Sequence, residues 1–181
     1  MEGWPAPPLC YNRAMDAPHL RDWTMRPIGV IHTPFNAMAN TPIQPTATES
    51  AHGTVEVFPQ FAEGLADLEG FSHIYLIYIF HKAKGYRLRV VPYLDDVERG
   101  LFATRAPGRP NPLGLSIVRL HSRRENILEV SRLDILDGTP LLDIKPYVPF
   151  FDEDSEIRTG WLENAPGRKQ PKRWKDDGRW G

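Results

Sequence analysis

From residue 25 onward, apolar and polar positions come in short runs separated by turn-forming clusters, and helical periodicity is scarce. "MRPIGVIHTPF" (25–35) is a brief apolar strand that meets Pro34, and "TVEVF" (54–58) alternates with period two, the mark of a strand with one buried face. In "PQFAEGLADLEGF" (59–71) Pro59 opens the segment, and Phe61, Leu65 and Leu68 recur at i, i+4 and i+7. That spacing predicts one short helix, weakened by Gly64. "SHIYLIYIFHK" (72–82) is dense in β-branched and aromatic residues over a strand's length and reads as the central strand, covered on both faces. "YRLRVVPY" (86–93), "LGLSIVRLHS" (113–122), "NILEVSRLDIL" (126–136) and "TPLLDIKPYV" (139–148) follow as strands, separated by turn chemistry such as Asp137-Gly138.

Many short strands at near-regular spacing with one short helix predict a mainly β protein, a barrel or rolled sheet, rather than a βαβ sandwich. Residues 1–24 form an irregular, Pro-rich N-terminal extension, 25–151 the barrel domain, and 152–181 a polar, partly basic, flexible tail bearing Trp174 and Trp180. Within the barrel domain, "NAMANTPIQPTATESAHG" (36–53) is a long loop, and structureless loops of that length in compact domains are usually functional or disordered.

Composition narrows the picture without naming a partner. The 181 residues carry a formal net charge of -1, which gives no global footprint for nucleic acid but leaves room for a local basic patch. The single cysteine, Cys10, excludes a disulfide framework and a cysteine-rich zinc site, and fits a reducing compartment. The first residues lack the basic and apolar regions of a signal peptide, and the longest apolar run, 74–80, is far short of a membrane helix. The expectation is a soluble, cytoplasmic protein without membrane contact.

Candidate chemistry is sparse. His73 and His81 bracket the central strand, where eight residues at about 3.3 Å each hold them roughly 26 Å apart, so they cannot share a metal and none is expected. GxSxG, GxGxxG and GxxxxGK[ST] are all absent, which leaves a hydrolase triad, a Rossmann site and a P-loop without support. "RAPGRPNPLG" (105–114) is different. Pro107, Pro110 and Pro112 fix their backbone, so the segment is a stiff, extended turn holding Arg105 and Arg109. An arginine on rigid backbone presents a fork for a carboxylate or phosphate; the competing reading is that both arginines pair within a structural turn. Among the aspartates, Asp137 opens the Asp-Gly turn, whereas Asp134 and Asp143 are open to a ligand or to a neighbouring cation.

Five segments in order, "RPIGVIHTPF", "TPIQP", "GFSHIYLIYIFHK", "GLFATRAPGRPNPLGLS" and "LDILDGTPLLDIKPY", together resemble the TsaA-like (TrmO) family over roughly residues 26–151. The resemblance implies a single-sheeted β-barrel that binds S-adenosyl-L-methionine, acts as a homodimer and methylates tRNA on the 6-amino nitrogen of a threonylcarbamoylated adenosine beside the anticodon. Matched motif by motif, it places cofactor contacts at Pro42, Ile43 and Gln44, at His81 and Lys82, at Arg105 and Leu115, and at Ser131, Arg132, Leu133 and Asp134, some through backbone atoms. It identifies no catalytic residue. In the family a further C-terminal domain helps grip tRNA, whereas here residues 152–181 follow the barrel. A non-catalytic S-adenosyl-L-methionine-binding or RNA-interaction module is therefore the alternative reading.

Overall fold

The computed structural model describes residues 24–37, 51–149 and 159–164. Six strands close into an antiparallel barrel: β1 (Gly29–His32), β2 (His52–Val57), β3 (His73–Ile79), β6 (Leu113–Arg124), β7 (Ile127–Ser131) and β8 (Thr139–Pro146). Around the barrel the order is β1-β2-β7-β6-β3-β8, and β8 returns to β1. Closure leaves the sheet no unpaired edge, and period-two alternation fills its interior. On β3 the inward residues are Ile74, Leu76 and Tyr78; on β6 they are Gly114, Ser116, Val118 and Leu120.

Because one closed sheet has only one covered side, β3 is not sandwiched as its composition predicts. Its outer residues His73, Tyr75, Ile77 and Ile79 are half-buried. The expected helix is present over Pro59–Leu65, in 3-10 form, with Leu65 buried and Phe61 and Leu68 packed on the core.

"YRLRVVPY" departs from expectation. Only β4 (Arg89–Val90) is extended there, paired with β5 (Arg99–Gly100) in a small separate sheet, since Pro92 has no N–H to continue a ladder. Leu101, Val90 and Ala106 form a second, smaller core under this hairpin. "NILEVSRLDIL" also stops short as a strand: β7 ends at Ser131, because Arg132 adopts a left-handed backbone with φ 68°. Within 152–181 the described residues are 159–164. Gly160–Asn164 is a 3-10 turn whose Trp161 donates its indole N–H to the Ala103 carbonyl at 2.8 Å and lies under the Arg99 guanidinium.

Candidate functional site

The Pro-rich turn, the end of β3 and the segment after β7 meet at one end of the barrel. The break at Arg132 lets the chain run on beside β6, so that Leu133 enters the core and Asp134 reaches Ser116. Ser116 Oγ donates to Asp134 Oδ1 at 2.7 Å, and Ser116 Oγ lies 3.1 Å from the Tyr78 hydroxyl. With the Ser116 proton committed to the carboxylate, the Tyr78 O–H is the donor in that second contact. The result is a relay, Tyr78 to Ser116 to Asp134, laid across three segments. It requires Gly114: a side chain there would collide with the Tyr78 ring.

Electrostatics mark the same place. Burial raises the Asp134 carboxyl above its usual range, against the Ser116 hydrogen bond, its own backbone N–H and the positive charge of Arg105. Tyr78 is raised too, first by burial and then by the Asp134 charge. Arg105 itself is exposed. Perturbed groups gathered at a rim are a functional-site signal, because apolar surroundings and a specific charge partner together set proton affinity.

The other predicted residues sort differently. Pro42, Ile43 and Gln44 lie outside the described residues. His81 and Lys82 follow β3 and are exposed; His81 Nδ1 is 3.4 Å from Thr139 Oγ1, and burial with the Lys82 charge lowers the imidazole's proton affinity. Leu115 faces outward from β6, opposite Ile77. Ser131 is buried, with its hydroxyl 2.7 Å from His121 Nε2. Leu133 is fully buried, so only its backbone is available to a ligand. Arg132 Nε is buried without a hydrogen-bond partner among the described residues.

Arg109 takes the structural reading. Its Nη1 donates to the carbonyls of Leu101, Thr104 and Ala106 at 3.4, 3.0 and 3.4 Å, and the guanidinium lies over Phe102. Asp143 pairs with Lys145 at 2.8 Å, and Asp137 accepts from the Thr33 N–H beside the turn at Gly138. Among the described residues no group of acidic, histidine or cysteine side chains is placed to hold a metal, and no helix is long and apolar enough to cross a membrane. Sequence reasoning missed Tyr78 and Ser116. The available signal was Ser116 itself, a hydroxyl at an inward position of an otherwise apolar alternation.

Fold and site together define a class: a small closed antiparallel barrel with a polar rim site, lacking the glycine-rich nucleotide fingerprint. Residues 30–153 match the family described as the tRNA-methyltransferase O N-terminal domain, and the chain belongs to that family. A Pyrococcus abyssi protein named as a probable S-adenosyl-L-methionine-binding protein is 57% identical over 154 residues, covering 85% of this chain and 83% of that protein. The Escherichia coli tRNA (adenine(37)-N6)-methyltransferase is 36% identical over 149 residues, covering 77% of this chain and 63% of the enzyme. The crystal structure of TrmO from Pseudomonas aeruginosa superposes with a TM-score of 0.66 at 40% identity, covering 78% of this chain and 63% of that one. The chain thus spans less than two thirds of those two proteins.

Proposed function

We propose that this protein is an S-adenosyl-L-methionine-dependent methyltransferase of tRNA, cytoplasmic and homodimeric, whose target is the 6-amino nitrogen of threonylcarbamoyladenosine beside the anticodon. The observation that carries the reading is the Tyr78–Ser116–Asp134 relay beside Arg105, built by segments that lie within the family match.

The residues at the rim fit the cofactor. Arg132 Nε is an orphaned buried donor in need of an acceptor, Arg105 offers a fork suited to a carboxylate, and Leu115 adds exposed apolar surface. Ser131, the backbone of Leu133, and His81 with Lys82 complete the described part of the binding set, with Pro42, Ile43 and Gln44 as the remainder. When bound, the cofactor supplies a methyl group activated by a positively charged sulfur.

The protein's share is alignment and proton removal. As the nitrogen–carbon bond forms and the carbon–sulfur bond breaks, the acylated nitrogen must lose a proton. Asp134, raised by burial and held by Ser116, is the group suited to accept it, while the sulfur leaves as a neutral thioether. Calorimetry with S-adenosyl-L-methionine tests the first half of the reading: saturable binding is expected, and its absence at millimolar cofactor contradicts it.

The second reading is a binding module without transfer. It is favoured by the Pyrococcus relative, which is similar over most of its length and is named for binding alone. Methyl transfer to tRNA separates the two.

A further inference from the structure

We propose that the outer wall of the barrel carries a phosphate-binding row, made of His52, Arg119 and His73 with His121 beside them, that holds the backbone of the RNA whose base enters the rim; this rests on the RNA-methylating reading above. The strand register draws the row. His52 pairs with Ser131, Ser131 with Arg119, and Arg119 with His73, so β2, β7, β6 and β3 each contribute one residue to a single line. Directly paired residues share a face of the sheet, and their strand neighbours Val130, Val118, Leu120 and Ile74 are buried inside. The line therefore runs outside the barrel, for roughly 14 Å at about 4.8 Å per strand.

A bulge aims a further imidazole at it. The pairing of β6 with β7 shifts between Leu120 and Ser122, which leaves His121 as the extra residue. Bulges bend a strand and redirect a side chain, often next to a functional site. Here His121 Nε2 sits 2.7 Å from Ser131 Oγ, and its ring centroid is 5.3 Å from that of His52. Beyond His73, the Tyr147 ring stands edge-on to both His73 and Tyr75, at 6.4 and 5.6 Å. An arginine and imidazole donors set beside a tyrosine ring suit a nucleic-acid strand, which offers phosphates and bases in alternation.

Charge accounting supports the same occupant. Arg89, Arg99, Arg123 and Arg124 are each paired with a carboxylate, whereas Arg119, like Arg105 and Arg132, makes no ion pair among the described residues. The carboxylates further along these strands are engaged elsewhere: Glu129 with Ser122 and Arg124, Glu56 with His32. His73 is held toward its neutral form, by burial first and then by the charges of Arg132 and Arg119, so it joins the row as a neutral hydrogen-bond donor beside the Arg119 cation. On a chain of net charge -1, an arginine without an ion pair among the described residues, flanked by imidazoles, is a local feature. The row also passes Ser131, where the proposed cofactor segment begins.

The test measures binding of unfractionated tRNA and of S-adenosyl-L-methionine separately on Arg119→Ala and Arg119→Glu proteins, with Arg124→Ala as a surface control. Arg119→Ala should weaken tRNA binding several-fold and Arg119→Glu further, and loss of one phosphate contact should lower the slope of log affinity against log salt by roughly 0.7–0.9. Cofactor binding, melting temperature and the Arg124→Ala control should stay at wild-type values. If Arg119→Glu binds tRNA as the wild type does, the row is not the RNA surface, although methyl transfer stands. If the wild type binds cofactor but no tRNA, the reading beneath the row fails and the row with it. Loss of both ligands together with early melting makes Arg119 a structural residue and overturns the proposal.

Discussion

Asp134 is the residue on which the proposed proton removal rests. Burial holds its carboxyl above the ordinary value of 3.8. Between the two values the folded chain keeps a proton that the unfolded chain has lost, so this group's stabilising contribution is full below the ordinary value and is lost as pH rises through the raised one. Asp134→Asn should remove that decline, leaving the cofactor-free protein at neutral pH no less stable than the wild type, while methyl transfer falls by at least tenfold. Melting temperatures from about pH 4 to 8, set beside turnover, check both halves. A variant that melts earlier at neutral pH would make Asp134 a structural anchor. Asp95 is the opposite case: the Arg99 hydrogen bonds at 2.8 and 2.6 Å lower it, and its contribution is lost only as pH falls through that lowered value, so the two groups act at opposite ends of the scan.

Among the elements, the Pro-rich turn is held from both sides. Prolines limit its backbone, and Arg109 ties it inward through three carbonyls above the small core of Leu101, Val90 and Ala106. Arg109→Ala should accelerate amide exchange at residues 101–108 and weaken cofactor binding through Arg105, with β3 and β6 unchanged. Hydrogen exchange read residue by residue is the measurement, and unaltered exchange would mean the prolines suffice. Elements of this kind differ in how far a sequence reveals them. β6 is legible because alternation over twelve residues reports a single buried face, whereas β3 is legible as a strand from its β-branched and aromatic density, which hides the single buried face that barrel closure gives it. β4 is not, since two residues are too few to carry a period and Arg87 and Arg89 imitate one. The relay escapes for another reason: Tyr78 and Ser116 are 38 positions apart and meet only through strand register, with Gly114 making room for the ring. The αL turn at Arg132 is equally silent, because no glycine or asparagine announces it.

On the scale of the whole molecule, the barrel's outer wall has two neighbouring regions of opposite character. Next to the proposed phosphate-binding row, Ile77 and Ile79 of β3 face Leu115 and Leu113 of β6, and Leu113, Leu115 and Ile117 are 36%, 48% and 37% exposed. Apolar positions contiguous across two strands fit the proposed homodimer, and Leu115 would tie that interface to the cofactor. Ile117→Asp should give a folded monomer by light scattering and weaker cofactor binding; a wild type that is already monomeric when active contradicts the dimer.

Transfer itself is the claim on which the rest depends. The most direct measurement incubates the protein with S-adenosyl-L-methionine and tRNA carrying threonylcarbamoyladenosine, digests the RNA, and reads the nucleosides by mass spectrometry. The account predicts that this nucleoside gains one methyl on its 6-amino nitrogen and that Asp134→Asn abolishes the gain. An unchanged nucleoside profile from protein that demonstrably binds both cofactor and tRNA would contradict it and leave a binding module in its place.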